Sequence, residues 1–246
     1  MHRNTFAFVI VAAIGGFIAG FWLANSINRS AITTPTDSSA PSANTAVATA
    51  ASNPDTELTD AEIKAKIAEA DKSPGNLSFQ RDLGISLYRY AAMKQSPELL
   101  RDAVRILERA SSLKQDDFDI LTALGNAHFD LGFFNKDTAS FQKARDAYSK
   151  ALNVKPAEPD VSTDLGLSYF LQEPPELEKA AAELEKVSKA NPKHERSLQF
   201  LVQVYSKQKR LPDAEAAFAK LKGLNPNNSA ISDLMSTITA AGGTAK

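Results

Sequence analysis

The apolar positions from residue 59 onward recur every three or four residues, which is the spacing of amphipathic helices. No stretch alternates apolar and polar residues in the way that predicts a strand. The stretch Thr59-Asp-Ala-Glu62 forms a capping box, in which side chains at the first turn satisfy backbone N–H groups that a helix leaves unpaired. It leads into Ile63, Ile67 and Ala70 at helical spacing. The pattern therefore predicts an all-α fold.

A Leu-Gly pair with an aromatic residue four positions after the glycine recurs along this helical region. The glycines are Gly84, Gly125 and Gly166, and each lies 41 residues after the last. A second helix carrying Ala-x-x-x-(Leu/Tyr) follows each of them. Glycine inside a helix costs about 1 kcal/mol relative to alanine. We therefore predict that each glycine is a close crossing of two helices, and that Gly125→Ala is mild because it regains helix propensity.

This layout resembles the tetratricopeptide repeat family, whose unit is a helix-turn-helix of 34 residues. The fourth unit, FLVQVYSKQKRLPDAEAAFAKLKGLNP at 200–226, fits most closely, with Val202 in place of the glycine and Ala214 as a packing residue. The resemblance covers about residues 75–226 and implies a helical-hairpin superhelix within a domain at 58–240. The predicted units are 75–115, 116–156, 157–192 and 193–226, with a capping helix at 229–240 and a tail at 241–246.

The interval of 41 residues exceeds the family's unit by seven. One turn added to each antiparallel helix would account for it, and a longer loop around Asn135-Lys136-Asp137 is an equally good explanation. Ser96-Pro97 predicts a helix start, with serine as N-cap and proline in the first helical position. Ser229 is predicted to cap the last helix, which would shield the final repeat as stacked repeats require.

The N-terminal part of the chain has a different composition. Residues 6–24 contain no charge and reach roughly 28 Å as a helix, which predicts a membrane anchor at 6–27 after a tail at 1–5. A cleaved signal peptide is the alternative, although its apolar core would be shorter. Residues 28–57, rich in Ala, Ser, Thr and Pro, predict a flexible linker. A small-residue face every four residues predicts a possible homodimer contact through Ala12, Gly16, Gly20 and Ala24.

The remaining composition argues against several classes of function. The net charge is −1 and the pI about 6.3, so no electrostatic attraction to nucleic acid is expected. Cysteine is absent, and His2, His128 and His194 lack the spacing of a metal site. There is no phosphate loop, dinucleotide fingerprint or nucleophile elbow. The sequence therefore predicts no cofactor, no metal and no enzymatic activity, and a protein or unfolded polypeptide as the partner.

The resemblance implies that first helices build the binding face, a peptide groove. Counted from each glycine, or from Val202, three rows of positions lie in register. The predicted groove residues are Arg81, Thr122 and Thr163 three before; Ile85, Asn126, Leu167 and Gln203 one after; Tyr88, Phe129 and Phe170 four after. The alternative is that the aromatic residues fill the seam between the two helices of each hairpin.

An anchor followed by these repeats resembles bacterial membrane-bound tetratricopeptide proteins of cytochrome c biogenesis. This resemblance implies a single-pass protein of the inner membrane, with its repeat domain in the periplasm as an adaptor for polypeptide partners. Ancillary chaperone-like subunits of protein translocons and cytosol-facing receptors of organelle membranes are the alternatives.

Overall fold

The structure, a computed structural model, describes residues 59–244. This part of the chain divides between Lys72 and Ser73 into two units. In the first unit, helix α1 spans Asp60–Lys72. The predicted capping box is present, since the Thr59 N–H donates to Glu62 Oε2 at 2.8 Å and the Glu62 N–H donates to Thr59 Oγ1 at 3.3 Å.

The second unit contains four antiparallel helical hairpins and one further helix. The hairpins are α2 (Leu77–Lys94) with α3 (Pro97–Leu113), α4 (Phe118–Asn135) with α5 (Thr138–Val154), α6 (Pro159–Leu171) with α7 (Leu177–Ala190), and α8 (Glu195–Lys207) with α9 (Leu211–Leu224); α10 spans Ile231–Ala241. The first helix of each hairpin contacts the first helix of the next. No strand occurs in residues 59–244. The prediction of an all-α, tetratricopeptide-type superhelix is confirmed for this part of the chain.

The additional residues of the first two hairpins lie in their helices. Helices α2 and α4 have 18 residues and α3 and α5 have 17, whereas α8 has 13 and α9 has 14. The connection after α4 consists only of Lys136 and Asp137, so the longer-loop explanation is wrong. Asp137 accepts hydrogen bonds from two backbone N–H groups of α5, and Ser96 caps α3 in front of Pro97 as predicted.

The glycines lie at helix crossings, as predicted. An added Cβ would meet the second helix of the same hairpin: Leu107 at 2.9 Å from Gly84, Tyr148 at 2.6 Å from Gly125, and Leu184 at 3.0 Å from Gly166. Gly132 was not among the predicted crossings, yet a Cβ added there would also lie 3.0 Å from the Phe141 ring. In the fourth hairpin Val202 and Ala214 are both fully buried.

The end of the repeat domain differs from the prediction in one respect. The N-cap of α10 is Ala230, not Ser229, and no side chain caps this helix. Its place in the fold comes from packing instead, because Leu234 and Ile238 are fully buried.

No helix within residues 59–244 is long and apolar enough to cross a membrane. The predicted tail at 1–5, anchor at 6–27 and linker at 28–57 lie outside the described residues, as does the predicted self-association face from Ala12 to Ala24.

Candidate functional site: the first-helix face

The candidate site is the face formed by α2, α4, α6 and α8, here called the first-helix face and defined by the three rows of positions around each glycine. The structure brings the ten predicted groove residues onto these helices, but with unequal exposure. The half-buried ones are Arg81, Ile85, Phe170 and Gln203; the buried ones are Tyr88, Thr122, Asn126, Phe129, Thr163 and Leu167.

The predicted aromatic row does not form a uniform exposed strip. Phe129 is 2% exposed and packs edge-on against Phe141 of α5, with ring centroids 5.4 Å apart. Phe129 therefore contributes to the seam of the second hairpin, as the alternative reading expected for this position. Phe170 is half-buried, and the Lys207 Nζ lies 5.4 Å from its ring centroid. Of these two rings, Phe170 is the one that a partner could reach.

A buried hydrogen bond connects the second hairpin's seam with the first-helix face. The Tyr148 hydroxyl on α5 donates to Asn126 Oδ1 on α4 at 2.8 Å. Tyr148 is fully buried and Asn126 is 5% exposed. Because the amide oxygen is used by Tyr148, the side-chain NH₂ group of Asn126 keeps its two donors for other acceptors.

Three polar atoms in the rows of this face are buried without a hydrogen-bond partner anywhere in the described part of the chain. They are Thr122 Oγ1, Gln203 Nε2 and Ser206 Oγ. Leaving a buried polar group unpaired costs about 1–3 kcal/mol. The corresponding threonine of the third hairpin, Thr163, avoids this cost by donating to the Pro159 carbonyl at 2.7 Å. All three atoms are inaccessible to solvent, so a partner bound at the surface would not reach them.

The arginine of the first hairpin is held by carboxylates of the second. Arg81 Nε donates to Asp117 Oδ2 at 3.3 Å, and Arg81 Nη2 donates to Asp119 Oδ2 at 2.5 Å. Burial opposes ionisation of Asp117, but the Ile120 N–H and the positive charge of Arg81 outweigh it, so the pKa of Asp117 is lowered. Arg81 is therefore already matched in charge by its own chain.

A second polar crossing joins the third and fourth hairpins. Arg196 donates to Asp164, and its other terminal nitrogen lies 3.7 Å from Asp160. His194 caps α8, since its Nδ1 accepts from the Ser197 N–H at 3.3 Å, and its Nε2 lies 3.2 Å from Asp160. Neither crossing was predictable from local sequence, because the partners lie 32 to 38 residues apart and share no local motif.

His128 is a packed side chain of the second hairpin. It is 5% exposed, and burial lowers its pKa to about 4, with the charge of Lys143 acting in the same direction. Glu108 Oε1 lies 3.8 Å from the imidazole Nε2 but is half exposed, so solvent screens its charge. No cluster of metal-ligating side chains occurs within residues 59–244.

Comparisons with known proteins agree with this fold. Residues 176–238 match the family model of the tetratricopeptide repeat. Two crystal structures of MamA are 23% identical over 69% of this chain, with TM-scores of 0.54 and 0.55, and the alignments cover 84% and 90% of the MamA chains. A thermophilic tetratricopeptide protein of Thermus thermophilus is 19% identical, with a TM-score of 0.51, over 74% of this chain and 89% of its own.

A search of curated proteins finds no match to the sequence. The hairpins, the glycine crossings and these comparisons define a helical-repeat fold of the tetratricopeptide type. The identities to the solved structures are low, so their likeness describes the fold alone.

Proposed function

We propose that this protein is a membrane-tethered, non-enzymatic adaptor that captures polypeptide segments on the first-helix face during the assembly of envelope proteins. The observation that carries the proposal is the accessible part of that face. Phe170 offers a half-buried ring, and Gln203 is a half-buried amide residue on the first helix of the next hairpin. Polypeptides supply both the amide groups and the apolar side chains that such a surface would bind.

The proposal also includes the assembly pathway in which the protein acts. An apolar run at 6–24, followed by a linker and helical repeats, resembles cytochrome c biogenesis proteins, which favours a periplasmic repeat domain and an unfolded apocytochrome as partner. Translocon subunits and cytosol-facing organelle receptors remain the competing assignments. Partner identity and topology distinguish the three.

Site-specific photo-crosslinking of the full-length protein in its native membranes tests the binding face. A photoreactive phenylalanine analogue replaces Phe170, and a matched control carries it at Leu113, which is 46% exposed at the end of a second helix. Polypeptide adducts at position 170 and none at 113 are expected. Adducts at 113 alone would place the binding surface elsewhere. Adducts that contain Cys-x-x-Cys-His peptides would assign the cytochrome c pathway.

The side of the membrane on which the repeat domain lies can be measured by thiol labelling, because the chain contains no cysteine of its own. Met93 is 59% exposed, so Met93→Cys creates a single reactive thiol on the repeat domain. In intact spheroplasts a membrane-impermeant maleimide should label it without lysis. Labelling only after lysis would place the repeat domain on the cytosolic side and reject the periplasmic assignment.

A further inference from the structure

The additional residues of the first two hairpins all lie at the edge where each hairpin turns. Seven helical residues precede the crossing position in every first helix, whether it is Gly84, Gly125, Gly166 or Val202. Ten helical residues follow it in α2 and α4, but only five follow it in α6 and α8. Five helical residues are about 7 Å long. At the turn edge, the first two hairpins therefore extend further past their crossings than the other two.

This extension, here called the turn tip, consists of residues 90–99 in the first hairpin and 131–140 in the second. Its accessible apolar side chains are Tyr90, Met93, Phe133 and Phe134. Met93 is 59% exposed, more than any other large apolar residue within 59–244, and the three rings are half-buried. Met93 and Phe134 each lie nine residues after their glycine, so they occupy equivalent positions on the neighbouring helices α2 and α4.

The charges at the turn tip balance. Lys94 and Lys136 are matched by Glu98 and Asp137. The Lys94 Nζ lies 5.5 Å from the centroid of the Tyr90 ring, and Lys136 is exposed. Aromatic rings, together with lysines whose apolar stems let the ammonium group reach water, are the side chains that favour the boundary between a bilayer and water.

The size of the apolar patch argues against a stable protein partner. Its four side chains expose on the order of 300 Å². A specific protein interface buries about 800 Å² on each partner. A contact with a bilayer can be weaker, because a chain that is already anchored gains stable attachment from a second, individually marginal one.

We propose that the turn tip docks reversibly on the phospholipid surface of the membrane that holds the anchor, with Met93 and Phe134 entering the headgroup region. The proposal rests on the membrane tether of the proposed function and adds a second contact to it. Docking would orient the hairpins, because Leu113 and Val154 end α3 and α5 at the opposite edge and would point away from the bilayer.

Fluorescence quenching in bilayer discs of phosphatidylcholine, each holding one full-length chain, tests the contact. Met93→Cys carries a polarity-sensitive fluorophore, and Leu113→Cys, 46% exposed at the opposite end of the first hairpin, is the matched control. Lipids with a spin label at the top of the acyl chain should quench the probe at 93 and leave the probe at 113 unquenched. In spheroplasts the thiol at 93 should still react with an aqueous maleimide, since docking is reversible, but more slowly than the thiol at 113.

Phe134→Gln should lower the ratio of docked to undocked domains about fivefold, as expected when part of a phenylalanine's burial is lost. Val154→Gln is its control, because Val154 is 40% exposed at the other edge, and it should leave quenching at 93 unchanged. Equal quenching at 93 and 113 overturns the docking and leaves the tether intact. A probe at 93 that is shielded only in discs with two chains, without quenching by lipid, assigns the turn tip to a contact between copies and also overturns the docking. A chain that does not enter the discs overturns the tether, and the docking with it.

Discussion

Gly125→Ala is the substitution for which the structure reverses the expectation from sequence. An alanine Cβ at this position would lie 2.6 Å from both Tyr148 Cδ1 and Cε1, about 1 Å closer than carbon atoms normally approach. The ring cannot move aside easily. Tyr148 is fully buried, and its hydroxyl is held by Asn126 at 2.8 Å.

The size of the effect follows from two opposing contributions. Overpacking a well-packed core costs about 1–3 kcal/mol. Alanine regains about 1 kcal/mol of helix propensity relative to glycine. Because contacts of 2.6 Å call for the upper half of the overpacking range, we expect Gly125→Ala to lower the free energy of unfolding by about 1–2 kcal/mol instead of being mild.

Two other glycines provide matched controls for the same chemical change. A Cβ at Gly166 would be 3.0 Å from Leu184 Cγ, a contact that a few tenths of an ångström relieve, so Gly166→Ala should be close to neutral. Gly223, in α9, has nothing within 4 Å of its Cβ position, and Gly223→Ala should stabilise by a few tenths of a kcal/mol.

Urea or guanidinium unfolding of the full-length chain in mild detergent, followed by circular dichroism, measures all three. The expected order of midpoints is Gly223→Ala highest, then Gly166→Ala, then Gly125→Ala. A second substitution, Tyr148→Leu, should remove most of the penalty of Gly125→Ala in a double-mutant cycle. A midpoint for Gly125→Ala at or above that of Gly166→Ala would show that the Tyr148 ring moves away from the added Cβ at little cost.

Three further predictions concern polar groups. His128→Leu should flatten the pH dependence of stability. The pKa of His128 is about 4 in the folded chain and about 6.5 in the unfolded chain, so wild type loses about 2–3 kcal/mol of unfolding free energy as pH falls through this window. If the urea midpoints of the variant still depend on pH to the same extent, the dependence belongs to other groups. Asp117→Asn keeps the cap but loses the Arg81 charge pair, which should cost about 0.5–1 kcal/mol at pH 7. Since the folded pKa of Asp117 is lowered, this difference between variant and wild type should vanish as pH falls through that pKa, and a difference that remains in acid would contradict the charge pair. Tyr148→Phe leaves the Asn126 oxygen without its donor and should cost about 1 kcal/mol in unfolding free energy, whereas an unchanged midpoint would show that the bond contributes nothing.

The hairpin architecture was predictable because its signals are local. Helical periodicity, the cap at Ser96-Pro97 and the energetic cost of glycine at Gly84, Gly125 and Gly166 each act within a few residues of sequence. The choice between longer helices and a longer loop was not decidable in this way. A longer loop and one extra turn in each helix use the same number of residues. Only the packing of the two helices against each other favours the extra turns.

The orientation of the aromatic row was harder to predict for a related reason. Phe129 and Phe170 occupy the same position relative to their glycines, yet Phe129 packs on Phe141 while Phe170 is half-buried beside Lys207. The difference arises from the longer hairpin of unit two, in which Gly132 brings Phe141 against α4. Helix α6 ends at Leu171, before an equivalent turn could form.

The polar position in the second hairpin has an explanation that joins core and surface. The residue facing the glycine is leucine in the first and third hairpins, Leu107 and Leu184, and tyrosine in the second, Tyr148. The residue one past the glycine changes with it, being apolar in the first and third hairpins and Asn126 in the second.

These two substitutions depend on each other physically. A buried asparagine without Tyr148 would leave its carbonyl oxygen unpaired, and a buried tyrosine without Asn126 would leave its hydroxyl unpaired, at about 1–3 kcal/mol for either group. The seam of the hairpin thus determines which polar side chain the first-helix face can hold. The chemical character of the first-helix face is set partly by second helices, which do not belong to that face.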